Sequence, residues 1–183
     1  MSTPASGSGP TGSAAEHSSA VTPQFRGVDH FSLTVTDLDA SERFYTQVLG
    51  FVVVLDFGYG RLVIHKPTGF TIGLMRHAEA TGTAFSELQT GLDHIGLTAG
   101  SRDELVAWEQ RFDAFGVEFT PIRDMDLGHH LNFRDPDGIA LEFFAPNEVY
   151  AAALRELRAR DITDSEVREM AAQLGVAEYV AQR

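Results

Sequence analysis

The chain has 183 residues, of which 43% are hydrophobic and 22% are charged, as is usual for a globular protein. Its formal net charge of −12 disfavours nucleic acids and anionic membranes as partners, because both would be repelled. The sequence contains no cysteine, which excludes disulfides, thiolate metal sites and a cysteine nucleophile. No apolar run approaches the roughly 20 residues that span a bilayer, and the N-terminus does not have the pattern of a secretion signal. We therefore expect a cytoplasmic protein.

The first half of the chain alternates between strand and helix patterns after an irregular start. Residues 1–24 are rich in Ser, Gly, Ala, Thr and Pro, which predicts a disordered leader. A helix is predicted in "DASERFYTQVLG", with Asp39 and Glu42 as a capping box and Gly50 at its end. The strands predicted around it are 28–35, 51–57, 61–65 and 70–75.

The second half repeats this order. "VDH" at 28–30 matches "LDH" at 92–94, and the Pro-x-Gly turn of "KPTGFTIGL" matches that of "DPDGIALEF". Ser101 and Glu104 predict the start of a second helix. The strands predicted around this helix are 92–99, 117–122, 129–134 and 139–144. Such a repeat indicates two copies of one βαβββ unit.

Two amphipathic helices are predicted after the second unit, and together these patterns indicate an α+β fold. The predicted boundaries are a disordered leader at 1–24, a first βαβββ module at 25–78, a linker at 79–90, a second module at 91–146 and a C-terminal helical extension at 147–183.

A single carboxylate, Glu142, lies in the otherwise apolar strand "IALEFF", where an unpaired charge would be costly. Strand periodicity places Glu142 on the face away from the helices, together with His30 and His94, which are counterparts in the repeat. Two imidazoles and one carboxylate, with coordination positions left open, form a ligand set for a divalent metal. The alternative is that each histidine is a hydrogen-bonded structural residue and that Glu142 pairs with Arg134 or Arg61.

The same periodicity predicts five further residues at this face. His130 would act as acid or base, because an imidazole titrates near neutrality. Asn132 would orient a substrate oxygen, and Arg61 and His65 would line the opposite module, where Arg61 would hold an anionic substrate. Gly73 is the counterpart of Glu142 and leaves room for a substrate. For the four other residues a plain surface or rim role is at least as well supported.

Three stretches, "VDHFSLTVTDLDASERFYTQVLGF", "GLDHIGLTA" and "FRDPDGIALEFF", resemble motifs of the vicinal oxygen chelate superfamily. This superfamily includes glyoxalases, extradiol dioxygenases, fosfomycin-resistance transferases, epimerases and bleomycin-binding proteins. The resemblance covers about residues 26–146. It implies that the two modules form a curved mixed sheet around a metal cavity. The ligand positions that it implies are His30, Gly73, His94 and Glu142.

The resemblance implies a divalent-metal-dependent enzyme, most similar to an extradiol-type dioxygenase acting on a small oxygenated or aromatic compound. Fe²⁺ or Mn²⁺ is favoured as the metal, and Zn²⁺, Ni²⁺ or Co²⁺ would also fit. Glyoxalases and related epimerases usually have a carboxylate or amide where Gly73 stands, which disfavours a lyase or isomerase. A fosfomycin-type thiol transferase would need a basic cluster, and the sequence has only scattered arginines.

Two alternatives stay open at this point. One is a non-catalytic drug-binding protein of the bleomycin-resistance kind. The other concerns assembly: the cavity forms within one chain, or a homodimer swaps modules so that His30 meets His94 and Glu142 of its neighbour.

Overall fold

The computed structural model describes residues 25–175, so the predicted leader at 1–24 and the stretch 176–183 lie outside the described residues. The first module forms a four-stranded sheet in the order β1-β4-β3-β2. Strands β1 and β4 are parallel, and the other neighbours are antiparallel. Its elements are β1 (His30–Thr34), α1 (Leu38–Arg43), a π-helical turn (Phe44–Val48), β2 (Val52–Asp56), β3 (Gly60–His65) and β4 (Phe70–Met75).

The second module repeats this topology with the strand order β5-β8-β7-β6, again with the first and last strands parallel. Two further helices follow it. Its elements are β5 (Ile95–Thr98), α2 (Arg102–Phe115), β6 (Arg123–Met125), β7 (Gly128–Arg134) and β8 (Ala140–Pro146), followed by α3 (Glu148–Ala159) and α4 (Asp164–Gln173). The predicted α+β fold of tandem modules with C-terminal helices is confirmed.

The helix starts differ in detail from the prediction. The prediction that Asp39 begins a capping box is wrong, because Asp37 is the N-cap and accepts hydrogen bonds from the backbone N–H groups of Asp39 and Ala40. The end of this helix is as predicted, with Gly50 in the left-handed region at φ 79°. In helix α2, Ser101 caps the N–H of Glu104, as predicted.

The predicted strand at 117–122 is also wrong. This segment makes one isolated bridge, from Phe119 to Phe133, and the regular strand β6 begins only at Arg123. Pro121 interrupts the ladder because it has no N–H to donate. The segment still runs beside β7, since the N–H of Thr120 donates to the carbonyl of Asn132.

The two modules share one core. Aromatic side chains of the π-helical turn, of α2 and of β7 meet there, with the rings of Phe112 and Phe133 at 4.6 Å. The hydroxyl of Tyr45 in the first module donates to Asp135 in the second, at 3.2 Å. The backbone N–H of Thr36, just after β1, donates to Asp137. The helical sides of the modules pack together, so the opposite face of each sheet, here called its open face, lies outside this core; on the second sheet the C-terminal helices cover part of it. No helix within residues 25–175 is long and apolar enough to cross a membrane.

Candidate metal and ligand site

The second sheet turns Glu142 away from helix α2. Its neighbours on β8, Leu141 and Phe143, are 1% and 7% exposed and pack in the core. Because side chains alternate along a strand, Glu142 points to the open face, as predicted. Gly96 of β5 and Asn132 of β7 are its partners in the neighbouring strands.

Glu142 pairs with His130 and not with an arginine. Nδ1 of His130 lies 2.9 Å from Oε2 of Glu142, and the two side chains are 24% and 14% exposed. The His130 ring also lies against Phe144, with ring centroids 4.7 Å apart. Arg134 pairs with Glu87 instead, at 2.7 Å. The lone carboxylate of an apolar strand therefore has an imidazole as its partner in this chain.

The other two predicted ligands, His30 and His94, have matching surroundings. Nδ1 of His30 lies 2.8 Å from Oδ2 of Asp29, and Nδ1 of His94 lies 2.6 Å from Oδ1 of Asp93. A neutral ring that donates from Nδ1 to a carboxylate presents the lone pair of Nε2. Metal-binding histidines are commonly oriented in this way. The repeated Asp-His pair in the sequence was the signal for both carboxylates, which were not among the predicted site residues.

One chain does not bring the predicted ligands together. Within residues 25–175, no three His, Asp or Glu side chains lie close enough to hold a metal ion. His94 and Glu142 share the open face of the second sheet, whereas His30 is on the open face of the first. Both histidine side chains are about half exposed, at 54% and 46%, so a partner could reach them. The donor atoms suit a divalent metal.

Gly73 is on the open face of the first sheet, as predicted, and the packing there is tight. A Cβ at Gly73 would lie 2.8 Å from Oγ of Ser32, its neighbour in the parallel strand β1. A larger residue at position 73 would therefore require Ser32 to move. Because this hydroxyl ends an exposed side chain, a rotation of Ser32 would relieve the contact.

The prediction that Arg61 and His65 face the open side is wrong. Val63, which lies between them on β3, is fully buried in the core, so all three side chains point toward helix α1. The His65 ring lies 5.4 Å from the buried ring of Phe51. Arg61 is 17% exposed and bonds to the first turns of α1. Its partners there are the carbonyl of Leu38 and the carboxylates of Asp39 and Glu42.

Asn132 and His94 lie on the open face of the second sheet, where strand periodicity predicted them. They line a depression of about 310 Å³ together with Arg134. Glu142 and His130 do not line this depression; they line a neighbouring cavity. Glu142 follows Ala140, which lines the depression, by two positions along β8, so the two hollows are adjacent.

The neighbouring cavity has a volume of about 410 Å³ and lies between the second sheet and the C-terminal helices. Its apolar residues include Met125, Leu127, Phe144, Tyr150 and Leu174. Sequence reasoning missed Tyr150 and Leu174. The amphipathic pattern of α3 and α4 indicated an apolar face, but a pattern does not say which surface that face covers.

A family model described as the Glyoxalase/Bleomycin resistance protein/Dioxygenase superfamily matches residues 27–143. The chain belongs to this superfamily. Helices α3 and α4 lie beyond the matched residues.

Individual relatives give the same picture. A crystal structure of a glyoxylase/bleomycin resistance protein/dioxygenase domain from Frankia sp. EAN1pec is 34% identical, with a TM-score of 0.63 over 68% of this chain and all of the other. The uncharacterized protein YwkD of Bacillus subtilis is 28% identical over 126 residues, which cover 65% of this chain and 96% of that protein. The fosfomycin resistance protein FosX from Listeria monocytogenes, complexed with Mn(II) and sulfate, shares the fold at 21% identity and a TM-score of 0.57 over 72% of this chain and 99% of its own.

Proposed function

We propose that this protein is a divalent-metal-dependent enzyme whose metal site is completed by two copies of the chain. One copy supplies His30, and the other supplies His94 and Glu142. The favoured metal is Fe²⁺ or Mn²⁺, because imidazole and carboxylate ligands with open positions suit these ions. The favoured activity is extradiol-type dioxygenation of a small aromatic compound with adjacent oxygens.

The matched Asp-His pairs are the observation that best supports this proposal. Asp29 and Asp93 hold both rings so that Nε2 is the free nitrogen, at equivalent positions of two modules. His129 has a similar carboxylate partner, Asp124, so the feature that distinguishes His30 and His94 is their equivalent position in the two modules. A carboxylate on the far nitrogen limits the rotation of the ring, which favours metal binding.

The proposal that two copies share the site rests on the packing of the modules. Their helical sides share one core, so one chain cannot fold its two open faces onto each other without breaking that core. A two-fold related copy would place the open face of each first module against the part of the other's second module around His94, which α3 and α4 leave uncovered. Every pair of copies then contains two equivalent sites.

The metal would polarise the substrate oxygens and hold both reactants adjacent. In the favoured reaction, dioxygen inserts both of its atoms as one ring C–C bond beside the diol breaks, so no external reductant is consumed. His130 is placed to take the proton of a substrate hydroxyl, because its ring lies beside Glu142 at the wall of the cavity. Asn132, on the same face, would orient a substrate oxygen.

Other reactions of the superfamily receive less support. Gly73 offers no carboxylate for proton transfer. Arg61, the expected anion-binding residue, is bound to helix α1 instead. Among the described residues, neither a lysine nor an arginine lines the cavity beside Glu142, as binding of a phosphonate would require.

A non-catalytic binding protein of the bleomycin-resistance kind is a second candidate, favoured by one specific observation. Glu142 already has His130 as its partner, so the sheet does not need a metal to compensate the carboxylate. The apolar cavity beside this pair would then sequester a ligand and leave it unchanged.

Metal content separates these candidates. We expect protein purified without chelator to contain about one divalent ion per chain, since two chains share two sites. The variant H94A should lose this metal. His129, the neighbour of His130 on the other side of β7, is bonded to Asp124, and H129A is the matched control that should keep the metal. Metal-free wild-type protein would refute the enzyme proposal and favour the binding protein.

Mixing two inactive variants tests the sharing of the site. H30A and E142Q should each lack metal. If the copies exchange at random, half of the pairs are mixed, and each mixed pair has one intact site of two, so the mixture should regain about a quarter of the wild-type metal. No recovery, with exchange verified by a tag, would refute a shared site. Oxygen uptake with catechols then tests the reaction, and metal-loaded protein that consumes none would refute the dioxygenase proposal.

A further inference from the structure

The C-terminal helices close one side of a cavity that the superfamily region leaves open. The second sheet supplies the floor through Gly96, Phe144 and Glu142, and Tyr150 of α3 and Leu174, just after α4, supply the wall. The Tyr150 and Phe144 rings meet edge to face, with centroids 5.8 Å apart. Because α3 and α4 lie beyond residues 27–143, this wall is a feature of this chain that the family match does not account for.

The chemistry of the cavity indicates the class of ligand. Its volume of about 410 Å³ is that of a site for a small molecule, and its lining is mostly apolar, with Met125, Leu127 and Phe144 beside the two wall residues. The polar groups include His130, Glu142 and Asp126. Since two of these are carboxylates and the chain has a net charge of −12, an anion would be repelled. A hydroxyl group could donate to Glu142.

The wall is only lightly held in place. No residue of α3 or α4 is buried. The link to the second module is Asn147, the N-cap of α3, whose side chain donates to the carbonyl of Asp126 at 2.6 Å and whose backbone N–H donates to that of Leu127. A ligand between the sheet and the helices would bury apolar area on both sides and would thereby hold the helices against the sheet.

We propose that residues 147–175 form the wall of a binding site for a neutral aromatic compound that bears a hydroxyl group. The aromatic ring contacts Phe144, Tyr150 and Leu174, and the hydroxyl group reaches the Glu142–His130 pair. The identification of this compound as the substrate rests on the proposed function, whereas its binding to the cavity does not require a metal.

Gly96 offers a way to block the cavity without disturbing the fold. A Cβ built at Gly96 meets no atom within 4 Å, and its backbone is not in the left-handed region. The variant G96L should therefore fill the cavity with its side chain and leave the strand unstrained. The variant G96A is its matched control, because one methyl group takes up little of the space.

The test uses the full-length protein and 1-naphthol as the probe, followed by its fluorescence, with 1-naphthoate as the anionic counterpart. We expect saturable 1-naphthol binding with a Kd on the order of 0.1–1 mM, as is ordinary for a ligand of this size. G96L should weaken binding at least about tenfold and Y150A about five- to tenfold, while G96A stays within about threefold. L157A, on an exposed part of α3, should leave the Kd unchanged. Naphthoate should bind at least about tenfold more weakly.

Each of these results can contradict the proposal. Binding in G96L or Y150A as tight as in the wild type would overturn it, as would equal binding of naphthoate or no saturable binding of 1-naphthol. Melting temperatures of the variants separate a blocked cavity from a lost fold. Bound 1-naphthol should also slow amide hydrogen exchange in α3 and α4, and unchanged exchange there would contradict the role of the wall.

The variant H94A separates this proposal from the proposed function. His94 does not line the cavity, so H94A should bind 1-naphthol as the wild type does although it binds no metal. A wild-type protein that binds 1-naphthol but no metal would refute the metal enzyme and support the site. A protein that binds metal but not 1-naphthol would refute the site alone.

Discussion

The buried carboxyl of Asp135 should make the stability of the protein depend on pH in an unusual direction. Asp135 is 5% exposed, and burial raises its pKa from 3.8 to about 6. Its Oδ1 accepts hydrogen bonds from the backbone N–H groups of Asp137 and Ile139, which oppose the rise in pKa. Its Oδ2 faces the hydroxyl of Tyr45, whose own pKa is raised well above the usual value by burial.

Burial of Asp135 should lower the free energy of unfolding as the pH rises. Between pH 3.8 and about 6 the folded state binds a proton at Asp135 that the unfolded state has released, so raising the pH through this range destabilises the fold. A shift of about 2 units corresponds to about 3 kcal/mol. Below this range the carboxyl is protonated in both states, so its burial does not lower the free energy of unfolding. Above this range the full loss of free energy is present.

The variant D135N should remove this cost. The amide keeps an oxygen for the two backbone donors, and its N–H group can donate to the Tyr45 oxygen, as the protonated acid would. Urea unfolding of both proteins from pH 4 to 7.5 gives the free energy of unfolding at each pH. We expect D135N to gain about 2.5 kcal/mol relative to the wild type between pH 4 and 7.5, because a small part of the cost is already present at pH 4. A difference that does not change with pH would refute the reasoning. D113N, on the exposed side of α2, is the matched control.

Two further substitutions test the corrected geometry of the first module. G73A should change the free energy of unfolding by less than about 1 kcal/mol, because the Ser32 hydroxyl that its Cβ would meet ends an exposed side chain and can rotate away. Thermal unfolding measures this, and a larger loss that the double variant S32G/G73A reverses would show that the hydroxyl cannot move. R61M should also lower the free energy of unfolding by about 1–3 kcal/mol through the lost bonds to α1. Its binding of 1-naphthol should stay within about twofold of the wild type. A stable variant with weakened binding would show that Arg61 contributes to the ligand site after all.

Much of the fold and part of the site could be predicted from local patterns. The turn "DPDG" and the alternation of "IALEFF" indicated both the strand and the side to which Glu142 points, because Ile139, Leu141 and Phe143 form an unbroken apolar set on the helix side. Asp-His pairs repeated at equivalent positions located the other two candidates. These signals depend on residues that are close together in the sequence, and the structure has the strand and the two Asp-His pairs where the signals indicated them.

Strand β3 was predicted with the wrong face because the set of side chains that faces the helix, Arg61, Val63 and His65, is the more polar of the two. Leu62 and Ile64 alternate with Arg61, Val63 and His65, so periodicity alone does not decide which set is buried. The deciding contacts are the carboxylates of helix α1, which lie about twenty residues away and meet Arg61 only after folding. The position of the C-terminal helices over the second sheet likewise depends on tertiary contacts, so no local sequence pattern predicts it.

The turn at residues 135–138 joins the modules and also begins the strand that bears Glu142. Asp135 contacts Tyr45, and Asp137 accepts hydrogen bonds from the N–H and hydroxyl groups of Thr36, which follows the strand that begins with His30. Together with the shared core, this turn therefore helps to hold the angle between the two open faces, on which the alignment of a second copy depends. A search for inactivating mutations should accordingly recover substitutions in this turn that touch no ligand, and their defects should be corrected by changes on the facing module.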